Sequence, residues 1–304
     1  MKLGLFTAAF PGRSLESVAD FAAAEGFACL ELACWPRTAA DRRYAGVTTL
    51  DVVGLDKAKA RSARKAVEER GLAVSSLGYY ANPLFPDPAV RAAAAAHITA
   101  LIDAAALMEV PVVGTFVGKD KNKTVAANLE DFARVWPPLV AYAQERGIKI
   151  AIENCPMIFS DDEWPGGNNL ATTPAIWAKM WEIIPDENFG LNLDPSHLHW
   201  QMIDIERAVR EAAPRIFHAH AKDMMIDREG LYRNGVLSLG MGWQVPRLPG
   251  LGEIDWRRFI AALYRAGYDG VLSVEHEDRG FEGTTELVER GFRIARDALG
   301  PYLH

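Results

Sequence analysis

Eight short aliphatic runs alternate with longer helical ones from one end of this chain to the other, and no composition break or Ser/Gly-rich linker interrupts the rhythm. KLGLFT precedes SLESVADFAAAEG, FACLELA precedes LDKAKARSARKAVEERG, LAVSSLGYY precedes AVRAAAAAHITALIDAAALME, and VPVVGTFVG precedes TVAANLEDFARVWPPLVAYAQERG. IKIAIEN, FGLNLD, RIFHAHAKD and GVLSVEHED then precede TTPAIWAKMWEIIP, IDIERAVREAA, IDWRRFIAALYRAG and TTELVERGFRIARDALG. A strand followed by a crossover helix pairs in parallel with the next strand. Eight such units predict one α/β domain over 1–304, a single (β/α)8 TIM barrel. Gly26, Gly71, Gly147 and Gly267 each follow a helical run where a left-handed C-cap is expected.

Side chains alternate between the two faces of a strand. In KIAIEN, Ile148, Ile150 and Ile152 share one face and Lys149, Ala151 and Glu153 the other, while in GLNLDPSH Leu191 and Leu193 oppose Asn192 and Asp194. Leu272 and Val274 oppose Val271, Ser273 and Glu275, and His218, His220 and Lys222 share one face of IFHAHAK. With the aliphatic face against outer helices, Glu153, Asp194, His220 and Glu275 point inward at the carboxyl ends of their strands, where barrel sites are built. One inward carboxylate reads as half of an ion pair; three of them with an imidazole read as a metal shell. The set is oxygen-rich and suits one Mn²⁺ per chain, with Mg²⁺ or Co²⁺ as alternatives, better than a thiolate-seeking ion.

Three connections exceed a plain turn: 34–53, 155–171 and 224–254. On a barrel they stand over the catalytic face. They carry Trp35, Arg37, Trp164, Asn168, Asn169, Trp243 and Arg247, aromatic platforms and polar donors suited to a polyhydroxylated ligand. For any single aromatic, an interface in a homo-oligomer is the rival reading. His218, one pleat repeat deeper than His220, is expected to support it rather than bind metal. His199 and His276 are expected at the periphery, and Lys222 and Asp223 to pair with each other or with the ligand shell. Gly250 and Gly252 read as turn glycines, and Cys155 as structural.

Composition narrows the class. The 49 % hydrophobic and 24 % charged residues are ordinary for a water-soluble enzyme. No apolar run approaches the ~20 residues that span a bilayer, which argues against a membrane partner. MKLGLFTAAFPGR, interrupted by Pro11 and Gly12, reads as a first strand rather than a secretory signal. Cys29, Cys34 and Cys155 form neither a CxxC motif nor a disulfide framework, which places the chain in a reducing cytoplasm. A formal charge of −7 argues against a nucleic-acid partner.

Together these segments resemble the xylose isomerase-like TIM barrels, a superfamily that includes ketose 3-epimerases, hydroxypyruvate isomerases, inosose dehydratases and apurinic-site endonucleases. The resemblance covers essentially the whole chain. It rests on AIEN with Glu153, LDPSH with Asp194 and His197, HxHxKD with His220, Lys222 and Asp223, PGxGEIDW with Gly250, Gly252 and Asp255, and VEHED with Glu275. It implies one divalent cation on Glu153, Asp194, His220 and Glu275, proton exchange by the two glutamates, and substrate binding or proton relay by His197. The endonuclease branch uses three zinc ions and further histidines near the ends of strands three and four. Those ends here read SSLGYYANP and VVGTFVGKD, without histidine. The chain departs from the ketose epimerases where a substrate-binding Arg follows the metal-binding His, since Ile226 stands at that place.

The chemistry expected is removal of the proton alpha to the carbonyl of a ketose or keto-sugar by one glutamate and its return by the other, an isomerisation or epimerisation. His197, Lys222, Trp35, Trp243 and Arg247 are the expected substrate contacts. A lyase needs nearly the same residues, because the same proton abstraction can be followed by loss of a β-hydroxyl or β-glycoside from a keto-inositol or 3-keto-glycoside. A third reading, a metal-binding barrel without turnover, would leave both Glu153 and Glu275 idle.

Overall fold

The computed structural model describes residues 1–37, 46–158, 167–236 and 242–304. Eight parallel strands close a barrel: β1 (Lys2–Phe6), β2 (Cys29–Ala33), β3 (Ala73–Gly78), β4 (Val112–Thr115), β5 (Lys149–Glu153), β6 (Phe189–Leu193), β7 (Ile216–Ala221) and β10 (Val271–Val274), which pairs back onto β1. The helices that follow them in turn are α1 (Leu15–Ala24), α2 (Lys57–Glu68), α3 (Pro88–Met108), α4 (Val125–Gln144), α5 (Pro174–Ile183), α7 (Ile205–Ala212), α9 (Trp256–Arg265) and α10 (Thr285–Leu299). All eight expected units are therefore present.

Local chemistry sets the helix ends. Ser14, Asp56, Asp87, Thr124, Asp204, Asp255 and Thr284 each accept a backbone N–H of the first turn they precede. Gly26, Gly71, Gly147 and Gly267 adopt φ of +76°, +74°, +70° and +76° with open space where a Cβ would stand, so left-handed backbone rather than crowding selects glycine there. Helix α3 is long and apolar enough to cross a membrane by length and composition. The expectation about apolar runs thus holds only for uninterrupted ones: Arg91, His97 and Asp103 break α3, and its Ile98, Leu101, Ile102 and Ala105 pack into the barrel core.

Four strands and helices beyond the eight units were not foreseen. A short helix, α6 (Pro195–His199), follows Asp194 directly. The long connection after β7 holds an antiparallel pair, β8 (Asp223–Ile226) with β9 (Gln244–Arg247), and helix α8 (Arg228–Asn234) between them.

Two register shifts bend the barrel wall. Leu30 and Glu31 of β2 pair with Val74 and Ser76 of β3, leaving Ser75 over, and Leu191 and Asn192 of β6 pair with Ile216 and His218 of β7, leaving Phe217 over. Such bulges re-aim side chains. Here they bring Glu31, Ser75, Asn192 and His218 together inside the barrel.

Candidate active site

Glu153 ends β5, Asp194 follows β6, His220 lies in β7 and Glu275 follows β10, and one ligand atom from each falls within 4.8 Å of the others. Neighbouring strand ends are stitched by side chains. Asn154 donates from Nδ2 to the Asp194 carbonyl at 2.9 Å, and its Oδ1 accepts the Asp194 N–H at 2.8 Å. Asn169 accepts the N–H groups of Val117 and Gly118 and donates to the carbonyls of Glu153 and Cys155. Asn168 likewise donates to the Met157 carbonyl. These two loop asparagines therefore brace the rim instead of facing a ligand.

Asp194 has two tasks. Its Oδ1 caps α6 through the Ser196 N–H at 2.7 Å, which turns Oδ2 toward the centre. One turn on, α6 carries His197 back, with Nε2 at 3.3 Å from Glu153 Oε1 and 3.4 Å from Asp194 Oδ2. His220 presents Nδ1 to Glu275 at 3.2 Å and to Glu153 at 3.8 Å, while its Nε2 lies 2.9 Å from Glu31 Oε2. Lys222 sits among the acids: its Nζ is 2.8 Å from Glu275, 3.0 Å from Asp194, 3.4 Å from Glu277 and 3.8 Å from Glu153.

Burial alone would neutralise these groups, and their charges decide otherwise. Desolvation opposes the ionisation of Glu153, but Lys222, His197 and His220 outweigh it and hold its carboxyl low. Glu275 moves the other way, raised by burial and by the Glu153 charge despite Lys222. Burial favours the neutral forms of Lys222 and His220, and the surrounding carboxylates raise both against it.

The donor set fits a divalent cation. Glu153 Oε1, Asp194 Oδ2 and His220 Nδ1 are buried, converge, and have no hydrogen bond of good geometry. A second cluster, Glu31, His218 and His220, lies deeper in the barrel. Its polar atoms are partnered: Tyr80 donates to Glu31 at 2.6 Å, Asn192 donates to the Tyr80 hydroxyl at 2.8 Å, and His218 meets Asn192 Oδ1 and Ser75 Oγ at 3.2 Å each. Satisfied donors and acceptors make it a support for His220, as expected of His218, rather than a second cation shell.

Above the cluster opens a cavity of about 340 Å³. Glu153, His197, Lys222 and Glu275 line one part of it, and Phe6, Trp35, Tyr80 and Phe116 another. Two expected substrate contacts are elsewhere. Trp243 is buried edge-on against Trp200 at 6.0 Å, and Arg247 pairs with Asp278 at 3.0 Å. The strand period explains this, since the cavity face of β9 carries Gln244 and Pro246 instead. Arg37 pairs with Asp51 at the surface at 3.4 Å, and Trp164 lies outside the described residues.

Lys222 and Asp223 do not pair with each other. Asp223 accepts the N–H groups of Gly250, Ile254 and Trp256 Nε1 at 3.0, 3.0 and 2.8 Å. A Cβ on Gly252 would stand 2.2 Å from its Oδ1, so close approach to this carboxylate requires glycine there. His276 is not peripheral: it is buried, lines the cavity and packs on Phe292 at 5.4 Å. His199 stays at the edge, 3.6 Å from Glu253.

Sequence reasoning missed Glu31 and Tyr80. Their signals were present: one acid in the otherwise apolar CLELA, and glycines inside strands, which mark close approach. A Cβ on Gly78 would stand 3.0 Å from Glu31 Oε1, and one on Gly114 would overlap the Tyr80 hydroxyl.

A family model described as the xylose isomerase-like TIM barrel matches residues 19–298. The chain is 27 % identical over 333 residues to an uncharacterised protein YfiH of Bacillus subtilis, covering 98 % of both. It is 29 % identical over 137 residues to the inosose dehydratase of Geobacillus thermodenitrificans, 44 % of this chain and 46 % of that one. Among solved structures, D-psicose 3-epimerase from Clostridium cellulolyticum superposes with a TM-score of 0.71 at 18 % identity, covering 100 % of both chains. The IolI protein with a bound zinc atom superposes at 0.72 and 17 %, covering 100 % of this chain and 99 % of that one. At such identities the likeness to solved structures is one of fold.

Proposed function

The chain belongs to the xylose isomerase-like TIM barrel family, and from that premise we propose that it is a divalent-metal-dependent sugar isomerase or epimerase that removes the proton alpha to the carbonyl of a ketose or keto-sugar. One observation carries the reading: three carboxylates and an imidazole converge within 4.8 Å on the floor of a cavity with an aromatic wall. Glu153, Asp194, His220 and Glu275 would hold the cation, and their oxygen-rich set favours Mn²⁺, Mg²⁺ or Co²⁺. A cation bound there supplies Lewis-acid polarisation of a substrate carbonyl.

The chain's own residues do the rest. Glu153, held ionised by Lys222 and the two histidines, takes the proton, and Glu275 on the other side returns one. Lys222 donates to a substrate oxygen and balances the acids. His197 orients a hydroxyl beside Glu153. Trp35 offers a flat apolar face to the C–H side of a sugar ring, and the surrounding aromatic rings exclude water.

A lyase is the second reading, favoured by Lys222 standing 2.8 Å from Glu275, where a proton donor would serve a departing oxygen, and by Ile226 where ketose epimerases carry Arg. Proton NMR in D₂O with ketoses and 3-keto-glycosides separates the two. Deuterium uptake without elimination supports the isomerase, whereas a released alcohol or water with a new enone supports the lyase. Metal analysis of Asp194→Ala and His220→Ala tests the shell itself, and unchanged stoichiometry in both would sink it.

A further inference from the structure

We infer that Glu153, Cys155 and His197 form a second metal site, softer than the shell beside it, that takes Zn²⁺ and shares Glu153 with that shell. A carboxylate oxygen, a sulfur and a ring nitrogen from the three lie within 4.8 Å of one another, with His197 Nε2 at 3.3 Å from Glu153 Oε1. His197 is only 7 % exposed, yet neither ring nitrogen has a hydrogen bond. An unpartnered buried imidazole between an acid and a thiol calls for an electrophile.

Cys155 is arranged for the same task. Its sulfur accepts the Met157 N–H at 3.3 Å, which fixes where it stands. Asn169, bonded to the carbonyls of Glu153 and Cys155 at 3.0 and 2.6 Å, holds the two ligands in fixed relation. One sulfur, one nitrogen and one oxygen ligand with a fourth position open is a zinc-type set, and all three residues line the cavity, so the open position faces its interior. Thiolate selects zinc over the harder ions that three carboxylates and an imidazole favour, so two adjacent sites differ in the metal they prefer. Binding displaces the Cys155 thiol proton and any proton on His197. Metal binding itself needs nothing from the proposed reaction. Inhibition rests on that reading, because zinc held there engages His197, the residue that orients the substrate hydroxyl, and stands in the cavity beside Glu153.

The test uses the full chain freed of metal and titrated with Co²⁺, whose thiolate complexes absorb in the near ultraviolet by sulfur-to-metal charge transfer, whereas carboxylate and imidazole complexes do not. The expected band saturates at one thiolate per chain, is displaced by Zn²⁺, disappears in Cys155→Ala and weakens in His197→Ala. Cys155→Ser, which preserves side-chain volume, gives the same result should the alanine variant fail to fold. Metal analysis of Cys155→Ala should still find one ion in the neighbouring shell, so failure of this site and failure of that shell are seen separately. In the manganese-loaded protein, Zn²⁺ should inhibit, and Cys155→Ala should raise the half-inhibiting concentration by at least the ~10–100-fold that an outer-shell loss already costs a metal site. Cobalt bound without a charge-transfer band, or a band that survives in Cys155→Ala through Cys29 or Cys34, overturns the inference.

Discussion

The two halves of the barrel rim are made of opposite materials. β1 to β4 lead into Phe6, Trp35, Tyr80 and Phe116, whereas β5, β6, β7 and β10 lead into Glu153, Asp194, His220 and Glu275. The rings touch in sequence, with Trp35 to Phe6 at 6.1 Å, Phe6 to Tyr80 at 5.7 Å and Tyr80 to Phe116 at 5.1 Å between centroids. The acidic half holds its charges close to that wall. An apolar wall lowers the local dielectric, so the charges opposite it act on one another more strongly than they would in water. One half thus carries the charges and the other the environment that strengthens their interaction. They meet at His220, which stacks on Phe6 at 5.7 Å and reaches Glu31 of β2 beneath the rings. Burial opposes the charge on Glu31, but the two histidines and the Tyr80 hydroxyl hold its carboxyl at about 2.

The division breaks most sharply at the acids. Glu153→Gln and Glu275→Gln keep size and an oxygen ligand while removing basicity, so each should lower turnover by ~10²–10⁴-fold with metal retained at saturation. Normal turnover in both, with metal bound, would place proton transfer elsewhere.

The seam between the halves should show in pH-dependent stability. Burial pushes His218 from its ordinary 6.5 down to about 4, so the folded protein keeps it neutral where the unfolded chain already takes a proton. Its contribution is flat above pH 6.5 and is lost as pH falls toward 4, by up to ~3 kcal/mol over that window. Denaturant titrations at both ends of the window should find this loss reduced in His218→Asn. An equal loss in wild type and variant would assign the acid sensitivity to other groups.

Glu31 tests the seam from the apolar side. Glu31→Gln retains the shape but weakens the hold on His220 Nε2, and should cost ~10–100-fold in metal affinity with little change in fold. Calorimetric titration with Mn²⁺ reads it, and unaltered affinity would reduce Glu31 to a packing residue. The smallest effect belongs to the wall itself. Trp35→Ala or Phe116→Ala removes aromatic contacts worth ~0.5–1.5 kcal/mol each and should raise KM ~2–10-fold while leaving metal content unchanged. A collapse of kcat instead would give the wall a direct part in the chemistry.

The sequence by itself carried the barrel and the convergence of Glu153, Asp194, His220 and Glu275, for a local reason. Strand and helix periods, Ser, Thr and Asp caps, and glycine stops are written in short segments, and the inward parity of Glu153, Asp194, His220 and Glu275 follows from alternation within single strands. Non-local relations escaped it. Glu31 reaches His220 across 189 positions of chain in a barrel whose β2–β3 and β6–β7 pairings each shift by one residue, and no period in a single strand records a shift in pairing. Trp243 and Arg247 fell on the wrong side because the connection after β7 folds into a hairpin whose pleat sends Gln244 and Pro246 to the cavity. The partner of Asp223 was decided at a distance too: its carboxylate is claimed by backbone and indole N–H groups of residues 250–256, leaving Lys222 alone among the acids. Tertiary structure decided these points because a buried carboxylate or ammonium goes to whichever opposite partner the closed barrel brings within bonding distance.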